Sequence, residues 1–438
     1  MESKLSGLGI KDFTYGVWYK RSVFLTDGQI SKRTVLHIGA ADYKTKLWIN
    51  GSFAGEHKGG YVSFSFDISA FVQSGDNNIV IFCEDDTRDP MIPRGKQCEE
   101  YYSRGCDYTR TTGIWQTVWL EFTEKTYIKK VKFRPDVATG SINIEAFLEG
   151  KADFSVNVTF EGKDMGSFSA NDVSGILNIN IALSEKHLWE LGAGRLYDVE
   201  LQFGKDEVKS YFGLRSAVMD GYKFRLNGKS VFQRTVLDQG FYPDGIYTAP
   251  SDEALKHDIE LSMNFGFNGA RLHEKVFEER FLYHADKMGY IVWGEYPNWG
   301  LDHSRPESIY GILPEWLSEI ERDFNHPSII GWCPFNETWD RHDQRQYDDL
   351  IRDIYLVTKA ADPYRPCIDT SGCFHVETDI YDFHDYEQDP AVFKAHYGSI
   401  PADGVLYNRF DEKPSLRHGD CKGRQQHKGE PVMCTEYG

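Results

Sequence analysis

Residues 290–337 contain three consecutive segments of contrasting pattern: "YIVWGEY" (290–296), "LPEWLSEIERDFNHP" (313–327) and "IIGWCPFNE" (329–337). The first and third are short apolar runs, which are typical of strands buried on both faces of a parallel sheet. The middle segment has the spacing of an amphipathic helix, and Pro327 marks its end. The stretch therefore predicts a strand–helix–strand unit, in which the two strands run parallel.

The same alternation of strand-like and helix-like segments extends from residue 216 to residue 438. We expect barrel strands near residues 231, 268, 290, 329, 366, 379 and 431. Repeated units of this kind predict a (β/α)₈ TIM barrel. The eighth β/α unit is missing from this count, so the prediction is an incomplete barrel. We favour a truncated piece of a longer protein over a naturally shortened one.

Residues 1–215 instead alternate apolar and polar positions over short segments, which predicts β-strands. In residues 1–124, turn signals such as Asn-Gly and Gly-Gly separate aromatic-rich strands, a spacing typical of a jelly-roll β-sandwich. Residues 125–215 contain a run of shorter strands, "SINIEAFLEG" and "DFSVNVTFEGK" among them, and predict an immunoglobulin-like β-sandwich. The predicted domains are therefore 1–124, 125–215 and 216–438.

The chain is acidic, with 49 Lys and Arg against 67 Asp and Glu and a formal net charge of −18. This balance argues against nucleic-acid and membrane partners, because nucleic acids and anionic membranes attract basic surfaces. Aromatic residues make up 14% of the chain, which suits a protein that stacks rings on sugars, but large hydrophobic cores account for it equally well.

Nothing in the sequence predicts secretion or a membrane span. The N-terminus lacks a signal-peptide pattern, and no stretch reaches the length of an apolar transmembrane helix. The eight cysteines include no CxxC pair, and Cys333 and Cys434 lie in apolar strand-like runs, where reduced thiols are expected. We therefore predict a cytoplasmic protein.

Two glutamates lie at the carboxyl ends of predicted barrel strands, Glu337 after the fourth and Glu436 after the seventh. Active residues of TIM barrels occupy this end, so both carboxylates are expected to face one mouth from opposite sides. Two carboxyl groups across a sugar hydrolyse glycosides, and a gap of about 5–5.5 Å gives retention of configuration. A single strand-end glutamate more often caps a helix or pairs with an arginine, but the two together favour catalysis.

Neighbouring side chains fit the same chemistry. Asn336 directly precedes Glu337 and is predicted to donate a hydrogen bond to the sugar 2-hydroxyl. Tyr386 or Tyr437 is predicted to hold the nucleophile ionised by donating a hydrogen bond to it. Trp293 is a candidate for the lining of the mouth, although a tryptophan at such a position is as often part of the core.

Four stretches resemble glycoside hydrolase family 2, the family of β-galactosidases, β-glucuronidases and β-mannosidases. They are "DYTRTTGIWQTVWL" (107–120), "FGLRSAVMDGYKFRLNGKSVFQR" (212–234), "NE" (336–337) and "TEYG" (435–438). The order of the three predicted domains is also similar to that of the family. The resemblance implies a retaining exo-β-glycosidase, foremost a β-galactosidase, that removes terminal β-linked sugars by double displacement.

The resemblance also implies roles for individual residues. Glu337 matches the general acid/base and Glu436 the nucleophile. Asp107 matches an aspartate that reaches from the first domain into the mouth and binds sugar hydroxyls. A turn aspartate bonded to Arg110 is the alternative interpretation of Asp107.

Two histidines are further candidates for substrate binding. His273 lies where the family often has a sugar-binding histidine, although the spacing from Arg271 is one residue shorter than in the family motif. His384 and Tyr386 end the predicted sixth strand and suit substrate binding. A histidine at a strand end is otherwise a core residue with satisfied hydrogen bonds.

Other interpretations stay open at this stage. The sugar of a β-glucuronidase or β-mannosidase fits the same motifs, and a truncated, inactive carbohydrate-binding form is a further alternative. The two-carboxylate mechanism requires no cofactor. Some members of the resembled family use Mg²⁺ or Na⁺ near the acid/base, but no ligand spacing in this sequence supports a metal site. Oligomers are common in the family, so a homo-oligomer is compatible with the resemblance.

Overall fold

A computed structural model describes residues 2–338, 345–372, 374–400, 424–427 and 429–437. The strands of the first domain are β1 (Gly16–Leu25), β2 (Arg33–Ile38), β3 (Ala41–Asp42), β4 (Lys44–Ile49), β5 (Ser52–Lys58), β6 (Phe64–Asp67), β7 (Gly75–Glu84), β8 (Gly113–Ile114) and β9 (Val118–Thr123). A short helix, α1 (Asp27–Ile30), follows β1, and a 3₁₀-helix (Lys4–Ser6) precedes it. Sheets in the orders β1-β7-β4-β5 and β6-β2-β9 enclose one apolar core, as expected of a jelly-roll sandwich.

The second domain is built from β10 (Tyr127–Asp136), β11 (Ser141–Phe160), β12 (Lys163–Ala182), β13 (Tyr197–Phe203) and β14 (Asp206–Phe212). The separate short strands predicted for this region are wrong, because β11 and β12 are each 20 residues long. Register shifts interrupt their pairing, and the first half of β11 pairs with β10 while the second pairs with β13. Bulges of this kind let one strand bend and serve two parts of a sandwich.

The third domain opens with β15 (Ala217–Asp220), β16 (Lys223–Leu226) and β17 (Lys229–Ser230). Its barrel elements are β18 (Thr235–Asp238), α2 (Asp252–Asn264), β19 (Gly269–Leu272), α3 (Glu279–Met288), β20 (Ile291–Glu295), a 3₁₀-helix (Pro306–Ser308), α4 (Ile309–Asp323), β21 (Ile329–Cys333), α5 (Asp348–Ala361), β22 (Tyr381–Asp385), α6 (Pro390–Tyr397) and β23 (Val432–Tyr437). Strands β18-β19-β20-β21 pair in parallel, as do β22 and β23. The predicted strand near residue 366 is present as isolated parallel bridges, Trp332 to Cys367 and Asn336 to Ser371.

Local sequence explains where several barrel elements begin and end. Ser251 Oγ accepts a hydrogen bond from Ala254 N at 3.2 Å and caps α2. Gly289 ends α3 with a φ of 68°, a left-handed conformation that costs glycine little. Every residue of β19, β20 and β21 is buried, as expected of strands covered on both faces. Within the described residues, no helix is long and apolar enough to cross a membrane.

The first domain packs against the barrel through hydrogen bonds to its loops and helices. Glu315 of α4 accepts from the backbone N–H groups of Tyr61, at 2.7 Å, and Val62, at 3.0 Å. The carbonyl of Trp299, in the loop after β20, accepts from Arg94 N at 2.7 Å. These contacts place a first-domain loop beside the carboxyl ends of the barrel strands.

The second domain contacts the opposite end of the barrel. Asn325, just after α4, accepts a hydrogen bond from Phe133 N and donates one to Val131 O, both at 2.9 Å. Tyr211 of β14 donates to Asp286 of α3 at 2.9 Å. The barrel is therefore held between two β-sandwiches, with its mouth on the side of the first.

Candidate active site

The two glutamates predicted from the sequence lie together at the mouth. Glu436 is on β23, and Glu337 follows β21 by four residues. One carboxylate oxygen of each and one ring nitrogen of His384 all lie within 4.8 Å of one another. This separation is close to the gap of about 5–5.5 Å that accompanies retaining glycoside hydrolysis.

Glu436 is held as a carboxylate by its neighbours. Its Oε1 accepts a hydrogen bond from Arg271 Nη1 at 2.9 Å, and its Oε2 accepts one from the Tyr386 hydroxyl. Burial alone would raise the pKa of Glu436, but the charges of Arg271 and His384 lower it below the ordinary value. Of the two tyrosines predicted for this contact, Tyr386 makes it, whereas Tyr437 lines the nearby cavity. Gly438, which completes the motif, lies outside the described residues.

Glu337 has a different environment. Its Oε1 is 2.9 Å from Nδ1 of His384, and its backbone has a φ of 47°, an unusual conformation for a residue with a side chain. Burial would raise the pKa of Glu337, but the hydrogen bond and charge of His384, together with the charge of Lys96, lower it to about 2. The lowered pKa values therefore favour the carboxylate form of both Glu337 and Glu436, which share one histidine. Backbone strain of this type clusters at functional sites.

Arg271 connects the residues of the mouth. Its Nε donates to Glu295 Oε2 at 2.5 Å, and its Nη2 donates to Asn336 Oδ1 at 2.8 Å. Burial would raise the pKa of Glu295, but the charges of Arg271 and His273 lower it to about 2. Sequence reasoning assigned no site role to Arg271. An arginine inside a buried strand was the signal that could have found it, because buried charges require partners.

Asn336 is fixed on three sides. Its backbone N–H donates to Asn298 Oδ1 at 2.7 Å, its carbonyl accepts from Asn298 Nδ2 at 3.0 Å, and its Oδ1 accepts from Arg271. Its Nδ2 is buried and has no hydrogen-bond partner among the described residues. A rigid amide with an unused donor beside Glu337 is suited to bind an oxygen atom of a ligand.

His273 is also part of the mouth. It is 1% exposed, and its Nδ1 lies 2.9 Å from Glu295 Oε1 and 3.8 Å from Glu436 Oε1. Burial lowers the pKa of His273, against the opposing effect of the Glu295 charge. The shorter spacing from Arg271 thus does not keep this histidine away from the two carboxylates.

A cavity of about 460 Å³ opens beside the two glutamates. The barrel residues among its lining include His273, Glu337, Tyr386 and Glu436. Lys96 and Cys106 line it from the first domain, and Trp299 from the loop after β20. Two domains therefore build this cavity, which neither the barrel nor the sandwich would form alone.

Four predicted binding residues are not among those that line the cavity. Asn336 and His384 are buried next to Glu337, whereas Asp107 and Trp293 lie elsewhere. Asp107 is not among the residues that line the cavity, and its Oδ1 pairs with Arg94 Nη1 at 3.0 Å. Among the described residues it makes no hydrogen bond or ion pair with Arg110, so that alternative interpretation is wrong, whereas its contact with a sugar stays a prediction. Trp293 is 1% exposed and packs in the barrel core, where its Nε1 donates to Gln233. Inward-facing residues of barrel strands fill the interior, and this explains the position of Trp293.

A metal ion has one candidate set of ligands within the part of the chain that is described, and that set is Glu337, His384 and Glu436. These three groups already hydrogen-bond or approach one another, and the guanidinium of Arg271 contacts Glu436. A cation placed there would meet the charge of Arg271 and would tie up both carboxylates. The arrangement therefore fits paired carboxylates better than a resident metal.

Three family models together match most of the chain between residues 8 and 438. "Glycosyl hydrolases family 2, sugar binding domain" matches residues 8–123, "Glycosyl hydrolases family 2" matches 126–215, and "Glycosyl hydrolases family 2, TIM barrel domain" matches 221–438. The chain belongs to glycosyl hydrolase family 2. The family and the fold class predicted from the sequence are thereby confirmed.

The similar proteins of family 2 include both β-galactosidases and β-glucuronidases. A β-galactosidase of Thermoanaerobacter pseudethanolicus is 26% identical over 411 residues, which cover 86% of this chain and 51% of that protein. A β-glucuronidase of Felis catus is 25% identical over 394 residues, which cover 82% of this chain and 59% of that protein. The chain thus spans little more than half the length of these curated relatives.

Solved structures agree on the fold. The β-D-glucuronidase of Dictyoglomus thermophilum superposes with a TM-score of 0.76 at 21% identity, over 98% of this chain and 76% of that one. A putative β-galactosidase from Bacteroides fragilis gives a TM-score of 0.74 at 22% identity, over 89% of this chain and 62% of that one. At these identities the likeness shows the family 2 fold alone.

Proposed function

We propose that this family 2 protein is a retaining exo-β-glycosidase in which Glu436 is the nucleophile and Glu337 the general acid/base. The observation that carries the proposal is the placement of two carboxylates within 4.8 Å at one cavity, with unequal environments. Arg271 and Tyr386 both donate hydrogen bonds to Glu436, and the charge of Arg271 lowers the pKa of Glu436, which suits a nucleophile. Glu337 makes neither contact, and its side chain is more exposed, at 15% against 7%.

The proposed reaction has two displacements. In the first, a Glu436 oxygen attacks the anomeric carbon while Glu337 gives its proton to the departing glycosidic oxygen, and the glycosyl-enzyme ester forms. In the second, Glu337 removes a proton from water, the water oxygen attacks the anomeric carbon, and the Glu436 carboxylate leaves. Both displacements invert the anomeric carbon, so the product retains the β configuration.

The contact between His384 and Glu337 decides when Glu337 carries its proton. His384 is the main cause that lowers the pKa of Glu337, so a bound sugar that weakens this contact raises the pKa of the acid for the first step. Once Glu436 is esterified, its negative charge no longer opposes ionisation of Glu337. The pKa of Glu337 then falls, which suits its second role as a base.

Four other residues are proposed to bind the sugar or to position the two catalytic glutamates. Asn336 supplies its unused Nδ2 to the 2-hydroxyl, and Tyr386 orients the attacking oxygen of Glu436. His273 lines the cavity beside both acids, and His384 bridges them. First-domain residues form one side of the cavity, which supports action on terminal sugars rather than within a chain.

For the sugar, we propose a β-galactoside as the first candidate and a β-glucuronide as the second. The β-galactosidase of T. pseudethanolicus supports the first, and the β-glucuronidase of F. catus supports the second at almost equal identity. The proposed site supports a carbohydrate as the binding partner. The net charge of −18 supports the absence of nucleic-acid partners.

The test is covalent trapping of the nucleophile. The protein is incubated with 2-deoxy-2-fluoro-β-glycosyl fluorides of galactose, glucuronic acid, glucose and mannose, and its intact mass is measured. We expect one glycosyl adduct, on the peptide that contains Glu436, with one preferred sugar. Glu436→Gln is the matched control and should give no adduct. An adduct on another residue would refute the assignment, and no adduct with any sugar would count against a working site.

A further inference from the structure

Lys96 is a buried cation in the wall of the cavity. It belongs to the first-domain loop that contacts the barrel, and its backbone carbonyl accepts a hydrogen bond from Tyr108 N at 2.7 Å. The residue is 4% exposed, yet it lines the same cavity as Glu337 and Glu436. A lysine is rarely buried to this extent unless its ammonium group has partners.

The Lys96 ammonium contacts an aromatic ring and a thiol, neither of which is a good hydrogen-bond acceptor. Its Nζ lies 3.3 Å from the centroid of the Trp299 ring and 3.7 Å from Sγ of Cys106. No described carboxylate oxygen lies within 4.0 Å of this Nζ, and no described carbonyl accepts from it. An ammonium group has three donors, and a thiol is a poor acceptor, so most of the hydrogen-bonding capacity of Lys96 is unused.

Lys275 shows what a structural buried lysine looks like in the same protein. It is 2% exposed, and its Nζ donates to Gly240 O at 2.5 Å and Tyr247 O at 2.8 Å. Those two carbonyls satisfy the charge within the protein. Lys96 has no such carbonyls, and it faces a cavity instead of a closed core, so its missing acceptor is expected to come from a ligand.

The charge of Lys96 also reaches two carboxyl groups. It lowers the pKa of Glu337 and opposes the rise in the pKa of Glu274 that burial causes. Both effects act over more than 4.0 Å, because neither pair is a salt bridge. A purely electrostatic role through Glu337 is therefore the alternative to a direct contact with substrate.

We propose that Lys96 is a substrate-binding, specificity-determining residue whose ammonium group donates hydrogen bonds to an oxygen of the sugar in the cavity. The inference rests on the proposed glycosidase function and deepens it. The acceptor is a hydroxyl of a neutral sugar or the carboxylate of a uronic acid. The first domain thereby supplies a cation to the sugar site, through a residue outside the family motif that contains Asp107.

Binding without turnover is the first test. Titration calorimetry measures the affinity of galactose and of glucuronate for the wild-type protein, Lys96→Met, Lys96→Arg and the exposed control Lys20→Met. We expect Lys96→Met to lower the affinity for the preferred sugar at least tenfold. Lys96→Arg should retain part of the affinity, and Lys20→Met should match wild type. A larger loss for glucuronate than for galactose would identify the carboxylate as the acceptor, and the reverse would identify a hydroxyl.

A second measurement separates direct contact from electrostatic tuning. Aryl glycosides of the preferred sugar that lack the 3-, 4- or 6-oxygen are compared in wild type and Lys96→Met. We expect one of these deletions to raise KM in wild type but to have no further effect in Lys96→Met. Equal penalties in both proteins, with only the pH profile of kcat/KM displaced, would overturn the proposal.

The two proposals can fail separately. Sugar binding that depends on Lys96, without hydrolysis of any glycoside, would refute the glycosidase function and leave this inference standing. If the protein hydrolyses a glycoside, and Lys96→Met changes neither KM nor the effect of deleting a sugar oxygen, only the inference about Lys96 is refuted. Absence of sugar binding by the wild-type protein would overturn the role of Lys96.

Discussion

The two ends of the barrel both bury carboxylates with cationic partners, but they do so differently. At the lower end, Asp286 accepts hydrogen bonds at both oxygens: Ser328 N at 2.9 Å reaches Oδ1, while His326 at 2.6 Å and Tyr211 at 2.9 Å reach Oδ2. Its backbone carbonyl also accepts from Trp189 Nε1 at 2.7 Å. These bonds join the second domain to the barrel, and both oxygens of the buried carboxylate accept hydrogen bonds from the protein itself.

At the mouth, the same kinds of group are incompletely paired. The buried Nδ2 of Asn336 has no acceptor among the described residues, the Lys96 ammonium has only a thiol as its acceptor there, and Glu337 has a left-handed backbone. A folded protein tolerates such a cost where the surrounding structure imposes it. The comparison teaches that a saturated buried network marks a structural joint, whereas an unsaturated one beside a cavity marks a binding site.

The largest expected effect is on catalysis at the mouth. Glu337→Ala should lower kcat/KM about a thousandfold for glycosides with poorly activated leaving groups, because general acid catalysis is lost. Activated aryl glycosides should lose far less in their first step. Azide should restore turnover in the second, because this anion attacks the anomeric carbon in place of water without needing a base, and the product is the glycosyl azide. Steady-state kinetics with a series of aryl leaving groups measures this, and equal losses across the series would contradict the role of Glu337.

Arg271 should affect both activity and stability. Arg271→Met leaves Glu295 and Glu436 buried without their cation, so we expect a loss of about 3–5 kcal/mol in the free energy of unfolding. Activity should fall as well, because Glu436 loses the contact that keeps it ionised. Denaturant unfolding checks the first effect. Arg280→Met, at an exposed position, is the control and should change stability by less than about 0.5 kcal/mol.

Asp286 should affect stability alone. Asp286→Asn should cost about 1–3 kcal/mol in the free energy of unfolding at pH 5, with kcat/KM close to wild type. Burial lowers the pKa of His326, but the charge of Asp286 and its hydrogen bond raise it above the ordinary value. The ion pair therefore stabilises fully below the ordinary histidine pKa and loses this effect as pH rises through the raised value.

The matching measurement is unfolding of wild type and Asp286→Asn near pH 5 and near pH 9. The difference between them should be smaller at the higher pH. If Asp286→Asn lost most of its activity but kept the stability of wild type, the assignment of a purely structural role to this end of the barrel would be wrong.

The smallest expected effect is a displacement of the pH profile. His384 lowers the pKa of both Glu337 and Glu436, so His384→Asn should raise both. Glu436 must be ionised and Glu337 protonated for the first displacement, so both limbs of the kcat/KM profile should move to higher pH, by about one unit. Movement of only one limb would show that His384 acts on one carboxylate.

Much of the fold could be predicted from sequence because its signals are local. Apolar runs and helical spacing indicate the β-α units, and Ser251 and Gly289 mark the ends of helices. The placement of Glu337 and Glu436 at one mouth could be predicted because active residues of such barrels occupy the carboxyl ends of the strands, and their catalytic roles stay a proposal. The domain boundaries at 124 and 215, and the cytoplasmic location, stay predictions.

Trp293 and Asp107 could not be placed in this way. The position of Trp293 in a strand does not reveal whether its side chain faces the core. Asp107 is in a loop, and tertiary packing determines which arginine lies close enough to pair with it. The long strands β11 and β12 were missed because bulges within them resemble turns in the sequence.

The sequence by itself determined the family and the order of the three domains, and it predicted that two glutamates face one mouth, because motifs and periodicity are carried by neighbouring residues. Only the tertiary structure decided that Arg271 holds Glu436, Glu295 and Asn336 together, and that Lys96 enters the cavity from another domain. These partners are far apart in the chain. Strand register and domain packing bring them together, and neither can be read from a local pattern.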